Sequence, residues 1–469
     1  MTELWQHDAQ ELASLVNARQ VSSVEVVQAH LDRIDEVNPT LNAVVAVLAE
    51  DALEAAGGID AALARGDDVG PLGGVPFTIK ENIDVGGQAT THGLGALKDA
   101  IAAADAPIVE RMKGAGAIPL GRTNLPDMGL RIHTDSELHG LTRNPWHPAH
   151  TAGGSSGGEA SALASGMSPI GLGNDIGGSL RNPASCCGVA SLKPTLGRVP
   201  SVSTIPMPDG SMTEQLLATD GPMARRVADV RLGLSILAGA DPRDPHSVPV
   251  PLDNAAPTPR RVALAAAPSG GDTDPRVEAA TVAVGRALEA QGHHVDAVEP
   301  PRFEEVVDVW NELVLGFVIL GLPLLQPILA AETVAFLNNA AEVQPIPTLE
   351  SQDAAWRQRQ SIMRDWAQFF SDWDVLVTPT WTQLPFVHGG DTGSVETMRG
   401  ALVQARPVMP GNVLGIPSAA VPAALVDGLP VGVLVNGPAW SDMLCLEVAE
   451  SIEAAGLFPA TPIEPRTDA

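Results

Sequence analysis

Apolar and polar positions along this chain follow two periods, and each predicts a different element. The first 36 residues follow the helical one. Asp8-x-x-Glu11 and Ser22-x-x-Glu25 each set a cap acceptor three residues ahead of an acid, just before an apolar run. That is the pattern of a capping box. In the second run Val24, Val27, His30, Leu31 and Ile34 are predicted to share one face. An alanine-rich third helix spans 51–65 and stops at Pro71-Leu-Gly-Gly. The pattern then shortens. Val75-Pro-Phe-Thr-Ile79 reads as a strand with Lys80 at its end. A helix over 107–113 and a strand over 117–124 follow, then a polar, irregular stretch over 125–146. Another helix starts at about Gly157, and strands are predicted over 168–173 and 189–192.

Further on, helices are predicted over 223–237, 274–291, 304–315, 354–370 and 443–455. Strands are predicted over 262–266, 375–377, 418–422 and 431–435. Strands alternating with helices imply an α/β fold around a mainly parallel or mixed sheet. The proline-rich piece 241–259 reads as a surface connection, and no internal repeat is visible.

Composition narrows the function. The 469 residues are 45% hydrophobic and carry 56 acidic against 28 basic side chains, for a net charge of −28. Nucleic-acid binding needs a basic face, and docking on anionic lipid needs the same, so neither partner is expected. The apolar run 313–325 falls short of the roughly 20 residues that span a bilayer. Gly316, Gly321, Pro323 and Pro327 break or follow it, so a buried helix or pocket wall is expected. Cys186, Cys187 and Cys445 form no disulfide framework and show no metal-ligand spacing. With an N-terminus that lacks a signal pattern, this predicts a cytoplasmic protein without a metal.

Two glycine-rich stretches carry the candidate chemistry: Gly153-Gly-Ser-Ser-Gly-Gly158 and Gly173-Asn-Asp-Ile-Gly-Gly-Ser179. Such loops gather backbone N–H groups around negative charge. A phosphate-binding loop would need a lysine where Glu159 stands. Gly154-Ser-Ser-Gly-Gly158 does fit a nucleophile elbow with Ser156 as the attacking residue, which would make an α/β-hydrolase-type esterase. The preceding Asn144-Pro-Trp-His-Pro-Ala-His-Thr151 has no strand pattern, and an elbow requires one. A second combination joins Lys80, Ser155 and Ser179. A serine hydroxyl is a poor nucleophile until a base takes its proton. A lysine at the end of an apolar strand can be that base once burial makes it neutral.

This combination resembles the amidase signature family. The matching stretches are Gly74-Val-Pro-Phe-Thr-Ile-Lys-Glu-Asn82, the two glycine loops through Pro183, and Cys187-Gly-Val-Ala-Ser-Leu-Lys-Pro194. Asp220-Gly-Pro-Met-Ala-Arg225 and Gly428-Leu-Pro-Val-Gly-Val433 also match, and the two serines stand 24 residues apart as in that family. The resemblance implies the amidase signature fold, an α/β architecture with a mixed central β-sheet covered by helices on both faces. It implies one domain over 1–469, with a helical N-terminal segment 1–66, a signature core at about 70–200 and a pocket-forming segment at about 300–400. It also implies that Ser179 is the nucleophile, that Ser155 relays protons and is joined to Gly154 by a cis peptide bond, and that Lys80 is the general base. The N–H groups of Ile176, Gly177, Gly178 and Ser179 would form the oxyanion hole. Asn174 departs from the family, which more often has Thr or Ser there.

The expected activity is cofactor-free hydrolysis of the C–N bond of a small amide, anilide or carbamate, and of esters, through an acyl-enzyme that water resolves. Urethanase and aryl acylamidase activities fall in this range. Met128 and His133, in the loop 125–137, are substrate-binding candidates, as are Trp310 and Trp381. The expected partners are a small-molecule amide or carbamate and water, and the expected state is a monomer or homodimer. The rival inside the fold is a glutamine-dependent amidotransferase A-type subunit that works with partner chains. A non-catalytic binding protein on the same scaffold would not need Lys80, Ser155 and Ser179 together.

Overall fold

Both predicted capping boxes form. Asp8 accepts the Glu11 N–H at 2.8 Å, opening the helix Ala9–Asn17, and Ser22 opens Ser23–Leu41. The computed structural model describes residues 3–207, 209–252, 259–459 and 461–466, so part of the predicted connection 241–259 lies outside the described residues. The second helix buries Val26, Val27, His30, Leu31, Ile34, Val37 and Leu41, whereas Val24 is exposed. The predicted face is therefore the buried one at Val27, His30, Leu31 and Ile34, and it extends to Val26 and Val37 and leaves out Val24.

Eleven strands form one sheet. Their spatial order is Val44–Val47, Ile118–Thr123, Pro76–Lys80, Ile170–Asp175, Thr219–Ala224, Ala190–Lys193, Ser418–Val426, Leu429–Asn436, Val375–Pro379, Arg261–Leu264 and His294–Ala297. Pro76–Lys80 runs parallel to both its neighbours, while the strands in the middle pair antiparallel, so the sheet is mixed. Successive residues of one strand enter different cores. Val375 and Val377 join a cluster with Val262 and Leu288, and Leu376 between them joins a cluster with Trp366. Alternation of this kind places packed helices on both faces.

The predicted helix 223–237 forms over Val227–Leu237, while its first two residues end a strand, Thr219–Ala224, that the sequence did not reveal. That strand is buried along its whole length, so no polar alternation marks it. The edge strands Val44–Val47 and His294–Ala297 and the helices Arg181–Cys187, Ala331–Val343 and Val395–Gln404 carry signals too short or too mixed to be read in advance.

The apolar run 313–325 is the middle of a longer helical stretch, Phe303–Ile328. By length and composition alone that stretch of 26 residues is apolar enough to cross a membrane, but half of its apolar 18-residue window is buried in the protein. Val306, Val309, Trp310, Leu313, Ile319 and Leu322 pack with Phe336, Ile362 and Trp366. The helix widens to π winding over Asn311–Leu315, directly after Trp310. Such bulges often mark functional positions.

Candidate active site

The strand period aims Lys80. Phe77 and Ile79 point into the core on one face of the sheet, so Thr78 and Lys80 point to the other. There Thr78 donates to Glu159, and Lys80 Nζ lies 2.6 Å from Ser155 Oγ. Lys80 is fully buried. Burial pushes its amine down to about 7, against the raising influence of the Asp175, Asp220 and Glu159 carboxyls. Burial also pushes Glu159 and Asp220 up to about 7 each. A lysine in this state is part neutral at neutral pH and can take a proton.

The loop that carries Ser155 is shaped by close backbone approaches. The Gly154–Ser155 peptide bond is cis. Gly153 has φ +80°, and a Cβ there would lie 2.7 Å from Pro183. A Cβ on Gly154 would lie 2.6 Å from the His133 nitrogen. Asn182 joins the two loops by donating from Nδ2 to the Gly154 carbonyl at 3.0 Å.

Ser179 ends the second loop, which follows the strand Ile170–Asp175 beside Pro76–Lys80. It is 8% exposed, and among the described residues its hydroxyl makes no hydrogen bond to protein. Asp175 organises this loop. Its carboxylate accepts the Gly178 N–H at 2.8 Å and the Leu180 N–H at 3.0 Å, and it pairs with Arg181 through two bonds of 2.8 and 3.0 Å. Burial opposes ionisation of Asp175, but Arg181, the Leu180 N–H and Asn412 outweigh it and hold the carboxyl well below the usual range. The Gly178 N–H is therefore already engaged. Of the four N–H groups expected at the oxyanion hole, those of Ile176, Gly177 and Ser179 remain.

Trp310 buttresses the same loop. Its indole N–H donates to the Ile176 carbonyl at 3.1 Å, and its ring lies over Gly177. A methyl group on Gly177 would sit 2.6 Å from the ring. Gly177→Ala is expected to lower kcat by about 10²- to 10³-fold, the size of a misplaced oxyanion donor. Trp310→Ala in the same chain should recover part of that loss by opening the space. Steady-state kinetics on the two single variants and the double variant check this coupling.

Met128 and Ile176 pack in one apolar cluster with Trp310, Leu313 and Leu130. Met128 precedes Gly129, where a Cβ would lie 3.2 Å from Ser155 Oγ. Met128 and Trp310 are thus brought together beside the serines. His133 and Trp381 are not in that cluster. His133 is buried rather than a surface loop residue, bonded to Thr151 Oγ1 at 2.8 Å and packed edge-on against Phe386. Trp381 stacks on Phe386 in a separate core with Ala152, Leu180 and Val408. Both back the loops.

Ser156 is fully buried, and its Oγ has no hydrogen-bond partner among the described residues. It has no base, which removes the elbow alternative. Asn82, Asn182, Val408 and Asn412 were not singled out from the sequence. Asn82 lies inside the quoted Lys-Glu-Asn run, whereas Asn412 is 237 residues from the Asp175 it contacts and leaves no local signal. A surface cleft of about 530 Å³, bounded by Asp35, Asn38, Asn42 and Arg143, contains none of these groups, so chemistry and not cleft size marks the site.

The family model described as Amidase matches residues 25–446. The chain belongs to the amidase signature family. It is 41% identical over 456 residues to an indoleacetamide hydrolase of Bradyrhizobium diazoefficiens, covering 96% of this chain and 86% of that one. The A-type subunit of glutamyl-tRNA(Gln) amidotransferase from a Synechococcus species is 34% identical over 94% of this chain and 95% of its own. Among solved structures, a bacterial aryl acylamidase of the amidase signature family superposes with a TM-score of 0.86 at 28% identity, over 97% of this chain and 98% of that one. This amidase is an amide hydrolase that acts on C–N bonds, and its fold is the mixed-sheet α/β fold the motifs imply. Among its described residues there is no cluster of three or more His, Cys, Asp or Glu that could hold a metal ion.

Proposed function

We propose that the enzyme hydrolyses a small primary amide bearing an aromatic group, with Ser179 as nucleophile, Ser155 as relay and Lys80 as base. The observation that carries this is the 2.6 Å contact between Lys80 Nζ and Ser155 Oγ at the mouth of two glycine loops. Ser179 Oγ attacks the amide carbon while its proton passes to Ser155, and the Ser155 proton passes to Lys80. The carbonyl oxygen becomes an oxyanion held by the N–H groups of Ile176, Gly177 and Ser179. The intermediate collapses, the C–N bond breaks, and Lys80 returns its proton through Ser155 to the leaving amine, which departs as ammonia. Water then attacks the acyl-enzyme by the same relay, releasing the carboxylic acid and regenerating Ser179.

The aromatic preference is supported by the apolar wall of Met128, Leu130, Ile176 and Trp310, and by the likeness to an indoleacetamide hydrolase. Anilides, carbamates and esters share the acyl-enzyme route and belong to the same range. The enzyme is read as a cytoplasmic monomer or homodimer. Its three buried free cysteines suit a reducing compartment.

Ammonia release and acid formation from indoleacetamide, an aliphatic amide, an anilide and glutamine test the reading. Indoleacetamide is expected to exceed glutamine in kcat/KM by at least about 100-fold, because an apolar wall leaves the polar ends of glutamine unpaired. Glutamine as the best substrate, or turnover appearing only with added partner chains, would favour the amidotransferase reading instead.

A further inference from the structure

Lys80 has a second contact as short as the one to Ser155. The carboxamide oxygen of Asn174 lies 2.6 Å from Nζ. Asn174 is in turn gripped by Asn82. Its Nδ2 donates to Asn82 Oδ1 at 2.9 Å, and Asn82 Nδ2 faces Asn174 Oδ1 at 3.4 Å. The two residues belong to adjacent parts of the fold. Asn82 follows Lys80 by two positions, and Asn174 sits near the end of the neighbouring strand, opposite Asp220.

The chemistry of the donor set makes this arrangement specific. A neutral amine has two N–H donors and one lone pair. A carboxamide oxygen can only accept. Asn174 therefore commits one N–H of Lys80, and the lone pair is free to face the Ser155 hydroxyl, which is where a base needs it. When Lys80 has taken the proton, the same oxygen faces an ammonium and stabilises it. Asn82 braces this orientation, because turning Asn174 over alone would break the bond to Asn82, and the protonated Lys80, which can only donate, selects the oxygen over the NH₂.

We propose that the Asn82–Asn174 carboxamide pair is the positioning device of the base, aiming the Lys80 lone pair at Ser155 and stabilising the charged form that follows proton transfer. This rests on the reading of Lys80 and Ser155 as base and relay. The other groups that face Lys80 are Asp175, Asp220, Glu159 and His92, and all of them stay in place when only Asn174 is changed.

The test is the pH profile of kcat/KM for amide hydrolysis in Asn174→Ala, Asn174→Asp, Asn174→Thr, Asn82→Ala and Lys80→Ala. Asn174→Ala removes an acceptor that favours the ammonium, so its acidic limb is expected to move to lower pH, with a loss of about 10- to 100-fold on the plateau. Asn174→Asp, of the same shape, places a negative charge beside the ammonium, so its limb should move upward by about 1–3 pH units. Asn174→Thr keeps an acceptor and should lie between Asn174→Ala and the parent. Asn82→Ala should follow Asn174→Ala with a smaller loss. A role limited to packing would not send Asn174→Ala and Asn174→Asp in opposite directions. Unmoved limbs in both, with Lys80→Ala inactive, overturn the positioning role alone. Full activity of Lys80→Ala overturns the relay and the positioning role with it. The pH dependence of fluorophosphonate labelling at Ser179 reads the same limb without turnover and serves if a variant is too slow to assay.

Discussion

Alanine in place of Ser179 is expected to lower kcat/KM for amide hydrolysis by roughly 10⁴- to 10⁶-fold, the usual scale for loss of a serine nucleophile. The bond to the substrate carbon cannot form without Oγ, and neither Ser155 nor Ser156 stands in a position to replace it. Ser155 is tied to Lys80 at 2.6 Å, and Ser156 is buried without a base. The residual rate would come from binding and from the backbone donors of the loop. Because the Ser179 hydroxyl bonds to no described protein group, its removal leaves no buried partner unsatisfied, and stability should change by less than about 1 kcal/mol. Thermal denaturation beside steady-state kinetics separates the two effects. Intact mass after fluorophosphonate treatment should show one adduct in the parent and none in Ser179→Ala. Ser156→Ala should be labelled and turn over within a few-fold of the parent. Labelling that survives Ser179→Ala and disappears in Ser156→Ala would place the nucleophile in the other loop.

Replacing Lys80 should be nearly as severe. Lys80→Ala is expected to lose at least about 10³-fold, within the span of a general base. Lys80→Arg should fare no better, since guanidinium stays protonated and can donate but not accept. In the mechanism proposed for the parent enzyme, neutral Lys80 is the active form. Its amine sits at about 7, so kcat/KM should be near half-maximal at that pH. Below it, the rate should fall roughly tenfold per pH unit as the ammonium takes over, and above it the rate should level off. An ordinary exposed lysine would put this limb near pH 10, so its position measures the burial that lowers it. A flat profile down to about pH 4 would exclude lysine as the base.

Where the sequence could be read and where it could not follows from the range of the forces involved. Capping boxes at Asp8 and Ser22 act over three residues, and both form as written. Lys80 ends its strand as the apolar pattern predicts, and strand alternation alone puts it on the face opposite Phe77 and Ile79. Val24 is different. Helical spacing allows overlapping faces around Val27, His30, Leu31 and Ile34, and only the packing of Ser23–Leu41 against its neighbours brings Val26 and Val37 in and leaves Val24 out. The strand Thr219–Ala224 goes unread, and its last two residues are taken into the following helix, because a strand buried on both faces has no polar alternation to announce it.

The site divides in the same way. Lys80, Ser155 and Ser179 were legible as candidates because glycine loops and a lysine at a strand end are local patterns, and together they match a family. The fates of His133, Trp381 and Gly178 were not. Whether an aromatic side chain lines a pocket or backs a loop depends on what packs against it. Phe386 claims His133 and Trp381, whereas Ile176 claims Trp310 across 134 residues of sequence. Gly178 loses its N–H to Asp175, whose carboxylate Arg181 and Asn412 keep charged and in place.

By itself, then, the sequence determined the reaction class and pointed to the three residues proposed for the triad, because covalent chemistry demands particular side chains and those are written in the chain. The tertiary structure decided how deeply Lys80 is buried, which amide oxygen holds its proton donor, which N–H groups remain for an oxyanion and which aromatic rings lie beside the serines. These are matters of distance and dielectric between segments far apart in sequence, and no local pattern encodes them.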